Sequence, residues 1–572
     1  MKMTGAQIIM ECLVREGVEL VFGIPGGSTL PFYDAFRHYP QIRHILVKHE
    51  QAAAHAADAY ARVTGKVGVC CATSGPGATN LVTGIANAWM DSVPMVAITG
   101  QVVTWLIGRD GFQEADTTGI TLPITKANWL VLQADDLART VKEAFHIART
   151  GRPGPVLIDV PRDVFIQEAD FEYPETVDLP GFRPTLEGHP AQIRKAAQLI
   201  AESEKPLILA GHGVKISRAF EELRELAEKA HIPVITTLLG ISGFPGSHPL
   251  CMGMPGMHGM YWNNLAIGEA DLLIAIGMRF DDRVTGALKD FAPHARVIHI
   301  DIDPAEIGKN VKPTVPIVGD VKRVLAALNP LVKEKRHDEW LAWIRKLREE
   351  HPSIAIPDND ELLPQYVVKK IYELSGGRGY VVTGVGQHQM WAAQYFWNDK
   401  PNSFVTSGGL GPMGFEVPAA MGVQFAHPEE LVWSICGDGG FQMTMQELAA
   451  IVEYELPIKF AILNNSFLGM VRQWQEMFYG NRVFATREFG PDYVKLAEAF
   501  GLMGLRVTER KQVEGAIHLA LAHPGPALID FQVKPDECVY PMVPPGASLS
   551  QTIDQPPVEK KTAARREKVT VK

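Results

Sequence analysis

Cysteine is scarce in this chain of 572 residues, and the six that occur form no metal-binding or disulfide pattern. None belongs to a CxxC pair, and they are scattered along the chain, at Cys12, Cys70, Cys71, Cys251, Cys436 and Cys538. The scatter argues against a zinc site of closely spaced cysteines and against a small fold held by disulfides. We therefore expect a reducing compartment, the cytoplasm.

Long apolar runs and an excess of positive charge are also missing. No uninterrupted apolar segment reaches the roughly 18 residues needed to cross a bilayer, and Glu11 interrupts the short apolar run at the amino terminus. The net charge of −10 argues against a dedicated nucleic-acid binder. We therefore predict a protein that is neither exported nor embedded in a membrane, and that binds no nucleic acid.

The composition that is present, 46% apolar and 21% charged, is that of a globular protein with several domains. Apolar runs that end in glycine or a polar residue, such as 20–27, 207–211 and 460–465, alternate with amphipathic helical segments. This alternation is typical of the α/β class and of doubly wound parallel sheets. We predict three such domains in tandem.

Two segments break the alternation and are predicted to be linkers, because they are rich in proline and acidic residues. The carboxy-terminal segment is basic, lacks apolar periodicity and is predicted to be disordered at its end. The predicted order is a first domain at 1–165, a linker at 166–190, a central domain at 191–345, a linker at 346–365, a third domain at 366–545 and a tail at 546–572.

The third domain contains two polar turns whose spacing is informative. Gly437-Asp438-Gly439 ends one apolar run, and Asn464-Asn465 ends the next after 24 intervening residues (440–463). A βαβ crossover places both ends at one edge of a sheet, so the oxygens of Asp438 and Asn465 can converge on a hard cation such as Mg²⁺. The glycines and the following helix start favour a diphosphate. Found alone, Gly437-Asp438-Gly439 would usually be a simple turn and Asn464-Asn465 a helix start.

In the first domain, a strand leads into an alanine-rich helix at 42–65, and Glu50 lies at the junction. A carboxylate at a helix start is usually a cap or a partner of the helix dipole. A glycine-rich segment, TSGPGATN, follows at 73–80.

Together these segments resemble the signature of the thiamine diphosphate (ThDP)-dependent enzymes. The resemblance implies that Asp438, Asn465 and the backbone carbonyl of Phe467 bind Mg²⁺, and that Glu50 activates the cofactor through its aminopyrimidine. Met413 would be the apolar support under the bent cofactor, although it is equally typical of a core residue. The implied ThDP-binding residues are Pro25, Gly26, Glu50, Ser74, Gly75, Asn80, Gln113, Val385, Gly386, Gln387, His388, Gly411, Met413, Gly437, Asp438, Gly439, Gly440, Asn465, Phe467, Leu468, Gly469, Met470 and Val471.

Further motifs, among them FGIPGGS (22–28), GRPGPVLIDVP (151–161), GMRFDDRVTG (277–286) and LGMVRQWQEMFY (468–479), resemble the acetohydroxyacid synthase (acetolactate synthase) family over residues 4–553. The family decarboxylates pyruvate on ThDP and joins the hydroxyethyl group to a second 2-oxo acid. Pyruvate then gives 2-acetolactate and 2-oxobutyrate gives 2-aceto-2-hydroxybutyrate, in valine, leucine and isoleucine biosynthesis. The implied catalytic residues are Glu50, Gln113, Arg283, Trp474, Phe112 and Met470.

Arg283 is expected to bind the acceptor carboxylate, because a guanidinium makes bidentate contacts with carboxylates. From the sequence alone, an ion pair of Arg283 with Asp281 or Asp282 at the surface is favoured. Trp474 is expected to contact the alkyl group of the acceptor, or else to be a core residue.

The central domain carries only weak dinucleotide signals of its own, such as Gly211-His212-Gly213 after an apolar strand. By resemblance it is expected to bind FAD in a structural, non-redox role. The implied FAD-binding residues are Arg152, Gly211, Gly213, Met257, His258, Arg279, Asp281, Arg283, Asp301, Glu306, Ile307, Gly319 and Asp320.

The resemblance also implies a homodimer with its active site at the subunit interface, and it raises a tetramer and a small regulatory subunit as further assembly states. A pyruvate oxidase-like flavoenzyme and a non-catalytic nucleotide-binding module are the alternatives, disfavoured by Arg283 with Trp474 and by the intact Glu50, Asp438 and Asn465. Glu416 stands where glycine is common in the family, and the sequence assigns it no role.

Overall fold

Three parallel sheets of six strands each form the protein, which confirms the predicted α/β class. The computed structural model describes residues 2–555, so the predicted basic tail from residue 556 onward lies outside the described residues. Within this range, no helix combines the length and apolar character that a bilayer span requires.

The strands of the first sheet are β2 (Leu20–Gly23), β3 (Arg43–Leu46), β4 (Gly68–Ala72), β5 (Met95–Gln101), β6 (Ala127–Leu130) and β7 (Pro155–Pro161). Those of the central sheet are β9 (Pro206–Ala210), β10 (Val234–Thr236), β11 (Cys251–Gly253), β12 (Leu272–Ile276), β13 (Arg296–Asp301) and β14 (Val315–Val318). Those of the third sheet are β15 (Tyr380–Thr383), β16 (Phe404–Val405), β17 (Val432–Gly437), β18 (Lys459–Asn464), β19 (Met503–Val507) and β20 (Ala527–Gln532). A small antiparallel pair joins β1 (Lys2–Thr4) to β8 (Glu168–Asp170).

The helices cover both faces of the sheets. They are α1 (Gly5–Arg15), α2 (Leu30–Ala35), α3 (Glu50–Thr64), α4 (Pro76–Asn80), α5 (Val82–Asp91), α6 (Thr117–Thr121), α7 (Leu137–Arg149), α8 (Arg162–Ile166), α9 (Pro190–Glu202), α10 (His212–Ile216), α11 (Phe220–Ala230), α12 (Tyr261–Glu269), α13 (Asp282–Thr285), α14 (Val321–Leu328), α15 (Asp338–Glu350), α16 (Pro364–Ser375), α17 (Gln387–Tyr395), α18 (Glu416–Ala426), α19 (Asp438–Thr444), α20 (Leu448–Glu453), α21 (Gly469–Phe478), α22 (Tyr493–Phe500) and α23 (Val513–Ala522).

Local sequence explains several of these boundaries. Thr4 and Gln7 form a capping box that starts α1. Helix α3 starts after His49, whose side chain accepts the Gln51 amide, and it ends at Gly65 in the left-handed conformation (φ 74°). The alanine-rich sequence of α3 favours a helix, and its small side chains allow close packing.

Strand order distinguishes the central sheet from the other two. Counting strands within each sheet, the first and third sheets have the order 2-1-3-4-6-5, whereas the central sheet has the order 3-2-1-4-5-6. The latter order is that of dinucleotide-binding folds, in which ligands bind where the order reverses, between local strands 1 and 4. In this chain those strands are β9 and β12.

The outer two sheets share a hydrophobic core, and the central sheet has its own. Helices α3 and α18 pack against each other in the shared core, so closely that a Cβ atom on Gly422 would collide with the carbonyl of Ala56. Burial of apolar side chains on both helices holds the first and third domains together. The segment predicted as the first linker, 166–190, contains β8 and the start of α9. The segment predicted as the second linker, 346–365, contains the end of α15 and the beginning of α16.

Candidate functional site

The two polar turns of the third domain lie side by side. Strands β17 and β18 are parallel neighbours, with Gly437 paired to Leu463, so Asp438 and Asn465 follow the same edge of the sheet. Asp438 and Asn465 are both buried. Burial raises the pKa of Asp438 to about 7, and backbone amides including that of Ser466 oppose this shift. The Ser466 amide therefore faces the Asp438 carboxyl from the Asn465–Phe467 turn.

The side chain of Asn465 is fixed by two hydrogen bonds at this edge. Asn465 Oδ1 accepts a hydrogen bond from the Phe467 amide at 3.1 Å, and Asn465 Nδ2 donates to Gln387 Oε1 at 3.1 Å. Carboxylate, amide and carbonyl oxygens are the donors that suit Mg²⁺. Within residues 2–555, no group of three or more His, Cys, Asp and Glu side chains could hold a metal ion, so the predicted set would depend on one carboxylate and neutral oxygens.

The segment 385–388 approaches the same edge. Gly386 has a φ of 151°, a conformation that favours glycine, and α17 begins at the next residue. A Cβ atom on Gly437 would lie 2.7 Å from His388 Nδ1, and one on Gly439 would lie 3.4 Å from Met413 Cε. Burial lowers the pKa of His388 to about 3, so its ring is neutral at physiological pH. The structure thus brings Val385–His388 and Met413 to the turn that contains Asp438.

The remaining predicted diphosphate-side residues surround this edge. Leu468 Cδ2 would lie 3.0 Å from a Cβ atom on Gly439, Gly469 begins α21, and Gly411 lies next to Val385. Gly440 lies in the first turn of α19. Val471 is largely exposed, while Met470 lines the cavity described below.

Glu50 is held in the first domain. It is the first residue of α3 and is nearly buried, and its Oε2 accepts a hydrogen bond of 2.9 Å from Asn80 Nδ2. Its Oε1 lies 3.4 Å from the position of a Cβ atom on Gly77. Asn80 and Gly77 both belong to the glycine-rich segment 73–80 that follows β4. The structure therefore brings Glu50 and this segment into contact.

The other predicted pyrimidine-side residues gather around the same segment. A Cβ atom on Gly75 would lie 2.8 Å from the carbonyl of Gln113, and both residues have a φ of 60°. The Ser74 amide donates to Ser28 Oγ at 3.0 Å. Gly26, which follows Pro25, packs against Thr73. Phe112, in contrast, is 89% exposed in the single chain.

A cavity of about 750 Å³ lies between the three domains. The sequence-predicted residues that line it are Arg152, Gly213, Met257, His258, Arg279, Asp281, Arg283, Asp301, Glu306, Asp320, Val385, Gly386, Gly411, Met470 and Trp474. Three predicted FAD residues do not line the cavity: Gly211, Ile307 and Gly319. Three predicted catalytic residues of the first domain also lie outside it: Glu50, Phe112 and Gln113. The cavity therefore joins the predicted FAD residues to the diphosphate-side residues, but it does not reach Glu50 of the same chain.

The cavity lies where the strand order of the central sheet reverses. The Gly211 amide donates to the Ile276 carbonyl and the Gly213 amide to the Gly277 carbonyl, so the turns after β9 and β12 are in contact. Side chains at Gly211 or Gly213 would collide with this neighbouring turn. Glycine is therefore required here by the packing, which also leaves backbone exposed towards the cavity.

Charged side chains line the other end of this cavity. Arg152 Nη1 donates to Glu306 Oε1 at 2.8 Å and to Asp303 Oδ2 at 3.1 Å. Glu306 Oε2 is buried without a hydrogen-bond partner among the described residues. Burial raises the pKa of Asp301 to about 6. Asp281 and Asp320 cap helices α13 and α14.

Arg283 and Trp474 meet in the cavity. The guanidinium carbon of Arg283 lies 5.6 Å from the Trp474 ring centre, and Arg283 Nη1 contacts Met257 Sδ at 3.3 Å. Arg283 also lies 3.8 Å from Asp282, at a solvent-exposed position where such an ion pair contributes little. Trp474 Nε1 is buried and has no partner among the described residues. The pair can therefore offer a cation, an indole donor and an apolar surface to a small carboxylate.

Two residues that the sequence reasoning missed support these positions. Gln473, beside Trp474, accepts from Gln387 Nε2 and from the Val539 amide and donates to the Val539 carbonyl, each at 2.9 Å. Asp91 accepts from the amides of Gly408 and Gly409 at 3.1 and 2.7 Å. The position of Gln473 on the inner face of an amphipathic helix is the only sequence signal for its role, and Asp91 carries none.

Comparison with known proteins finds related sequences over nearly the full length of the chain. Three family models match in order: the thiamine pyrophosphate enzyme N-terminal TPP binding domain over residues 3–120, the central domain over 193–328 and the C-terminal TPP binding domain over 384–531. The acetolactate synthase of Mycobacterium bovis is 52% identical over 560 residues, covering 96% of this chain and 91% of the relative.

Two further relatives match this chain over a similar length. The acetolactate synthase large subunit of Corynebacterium glutamicum is 50% identical over 561 residues, covering 96% of this chain and 90% of the relative. That of Porphyra purpurea is 49% identical over 565 residues, covering 96% of this chain and 95% of the relative. The similarity thus extends across all three sheets and both edges of the candidate site.

Proposed function

The chain belongs to the acetolactate synthase large subunits within the thiamine pyrophosphate enzymes, and we propose that it decarboxylates pyruvate and joins the remaining two-carbon unit to a second 2-oxo acid. With pyruvate as acceptor the products are 2-acetolactate and CO₂, and with 2-oxobutyrate they are 2-aceto-2-hydroxybutyrate and CO₂. Both serve valine, leucine and isoleucine biosynthesis. The observation that carries the proposal is the cavity that runs from the Val385–Gly386 turn to Trp474 and Arg283.

The third domain is proposed to hold Mg²⁺ through Asp438, Asn465 and the carbonyl of Phe467. The backbone of 385–388 and the start of α19 at Gly440 would bind the diphosphate, since amides at a helix start favour an anion. When bound, ThDP supplies a thiazolium carbon that can add to a 2-oxo acid and stabilise the negative charge left by loss of CO₂. The buried, neutral His388 and the apolar, partly buried Met413 would help to exclude water from this edge.

Glu50 is proposed to be the proton-holding residue of the reaction. Its carboxyl is fixed by Asn80, so it presents one orientation to a ring nitrogen of the cofactor. A positioned carboxyl that donates and takes back a proton contributes about 10²–10⁴-fold to a rate.

The active site is proposed to form between two subunits. In a single chain, Glu50 lies outside the cavity, and large apolar side chains are exposed on both outer domains: Trp105, Phe112 and Leu122 in the first, and Met443, Phe484 and Phe489 in the third. Such exposure is typical of a surface covered by another chain. A homodimer would bring Glu50 of one subunit to the diphosphate site of its partner. A tetramer or a small regulatory subunit would be a further level of assembly.

FAD is proposed as a third cofactor, in a non-redox role, because the net reaction transfers no electrons. The glycine turns at the strand-order reversal, the cavity volume and the cations Arg152 and Arg279 suit an elongated dinucleotide. The six free cysteines would remain reduced in the cytoplasm, which is the proposed location.

Product analysis tests the function. The purified protein, supplied with ThDP and Mg²⁺ and with or without FAD, is incubated with pyruvate and 2-oxobutyrate together. We expect both acetohydroxy acids to form, with one molecule of CO₂ released for each molecule of acetohydroxy acid. Reduction of FAD by pyruvate at the rate of turnover, without acetohydroxy acids, would instead identify an oxidase-like enzyme, and absence of any turnover would identify a non-catalytic chain.

A further inference from the structure

Glu416 is a buried carboxyl that forms no side-chain hydrogen bond or ion pair among the described residues. It is the first residue of α18, its relative exposure is 0%, and neither Oε1 nor Oε2 has a hydrogen-bond partner among the described residues. Burial raises its pKa from an ordinary value of 4.5 to about 7, and the amides of Gly414 and of Glu416 itself oppose the shift. An ionised carboxylate in such a place is costly, so the neutral form is favoured.

The position of this carboxyl is specific. A Cβ atom on Gly384 would overlap Glu416 Oε2, and one on Gly440 would lie 2.5 Å from Oε1. Gly384 ends the segment that leads into 385–388, and Gly440 lies in the first turn after Asp438. The carboxyl therefore fills the space between the two segments proposed to hold the diphosphate.

Within residues 2–555, no cation forms an ion pair with Glu416. The elements packed against α18 are α3, β15, β17, α19 and the turn 445–447. Their titratable and charged groups are Glu50, His55, Asp58, Tyr60, Arg62, Tyr380, Cys436, Asp438 and Glu447. In the described chain none of them forms an ion pair with Glu416, and Arg62 is paired with Asp58 and Asp91 instead. Glu416 in turn helps to raise the pKa of the Cys436 thiol.

We propose that Glu416 is a positioning residue for the cofactor: its neutral carboxyl sets the spacing of the Gly384 and Gly440 segments, and its ionisation weakens the binding of Mg²⁺ and ThDP. The inference rests on the proposed diphosphate site. An ionised Glu416 adds a negative charge behind a site that must receive a diphosphate, and its need for solvent would pull the two segments apart. A bound diphosphate in turn favours the protonated carboxyl, because binding and protonation are linked.

The test is the dissociation constant of ThDP at a fixed excess of Mg²⁺, measured by titration calorimetry on the full-length apoprotein at pH 6, 7 and 8. Other groups also titrate in this range, so the informative quantity is the ratio of wild type to Glu416→Gln, which stays neutral with nearly the same shape. For a single group with a pKa of about 7, the ratio should be close to one at pH 6 and about tenfold at pH 8.

Asp159→Asn is the matched control. Asp159 is a buried carboxyl with a pKa raised to about 7, but it lies on β7 of the first sheet, bonded to Thr99 and Gln101. Its ratio to wild type should not change with pH. Glu416→Met, which keeps the volume without polar atoms, should behave like Glu416→Gln and serves if the latter does not fold.

Two results would overturn the inference. A ratio that is constant from pH 6 to pH 8 would show that ionisation of Glu416 does not affect cofactor binding, even if binding is weaker overall. Absence of ThDP binding in the wild type and both variants would overturn the proposed diphosphate site itself, which distinguishes the two failures.

Discussion

The guanidinium of Arg283 lies over the face of Trp474, 5.6 Å from the ring centre, although the two residues are 191 positions apart in the sequence. Arg283 belongs to α13 of the central domain and Trp474 to α21 of the third domain. A cation over an aromatic face is attracted to it, so each residue restrains the other. The proposed acceptor pocket would therefore be built across a domain boundary.

Replacing Trp474 with leucine should reduce the preference for 2-oxobutyrate over pyruvate. In the proposed pocket the indole would contact the additional methyl group of 2-oxobutyrate. One such apolar contact is worth about 1–3 kcal/mol, or roughly 10- to 200-fold in selectivity. Competition between the two acceptors, with products quantified, measures the ratio. Trp343→Leu, on α15 and remote from the cavity, is the control and should leave the ratio unchanged. An unaltered ratio in Trp474→Leu would remove this residue from the acceptor pocket.

Glu50→Gln should lower the turnover number by at least about 100-fold while leaving the dissociation constant of ThDP within a few-fold of wild type. The glutamine keeps an oxygen that can accept the Asn80 hydrogen bond, so the fold around it is retained, but it cannot transfer a proton. Steady-state kinetics and calorimetry give the two quantities. Near-normal turnover would show that Glu50 only stabilises the start of helix α3 and transfers no proton in the reaction.

Gly440→Ala should destabilise the protein by about 1–3 kcal/mol, because its Cβ atom would lie 2.5 Å from Glu416 Oε1. Adding Glu416→Gly to this variant should restore part of the loss, since the colliding carboxyl is removed. A double-mutant cycle on the free energy of unfolding measures the coupling. Additive effects would mean that the two residues do not compete for the same space.

Lys215 makes stability depend on pH. Burial lowers its pKa from 10.5 to about 7, and its ammonium donates to the Phe404 carbonyl at 2.7 Å. Between pH 7 and pH 10.5 the Lys215 amine is protonated in the unfolded chain but neutral in the folded chain, so the free energy of unfolding rises with pH. Below pH 7 the folded chain must hold the buried ammonium, and the full destabilisation by Lys215 applies.

Lys215→Met should remove this dependence. Thermal unfolding gives the Tm of the variant minus that of wild type. We expect this difference to be highest near pH 7 and to fall towards pH 10. Lys229→Met, which loses an ammonium bonded to the Asn329 carbonyl at a less buried position, is the comparison and should show no such trend. A constant Tm difference for Lys215→Met would contradict the assigned titration.

The features of the fold and site that could be predicted from the sequence are those set by residues close together along the chain. The turns at Asp438 and Asn465 lie at one sheet edge because a single βαβ crossover joins them, and the fold class follows from the same alternation. The contacts of Asp91 with Gly408 and Gly409, and of Gln473 with Val539, join segments that no local pattern relates. For the same reason, the cavity's separation from Glu50 and Phe112 could be seen only in the folded chain.

The close packing of α3 on α18 has a consequence for how the protein can be divided. The outer domains are separated by the whole central domain in sequence, yet each buries one sheet face against the other. The central domain is therefore topologically an insertion into one continuous body. Expressing either outer domain as a fragment would expose the apolar half of that body, whereas a chain cut within 351–363, where no helix or strand occurs, could retain both halves as a non-covalent pair.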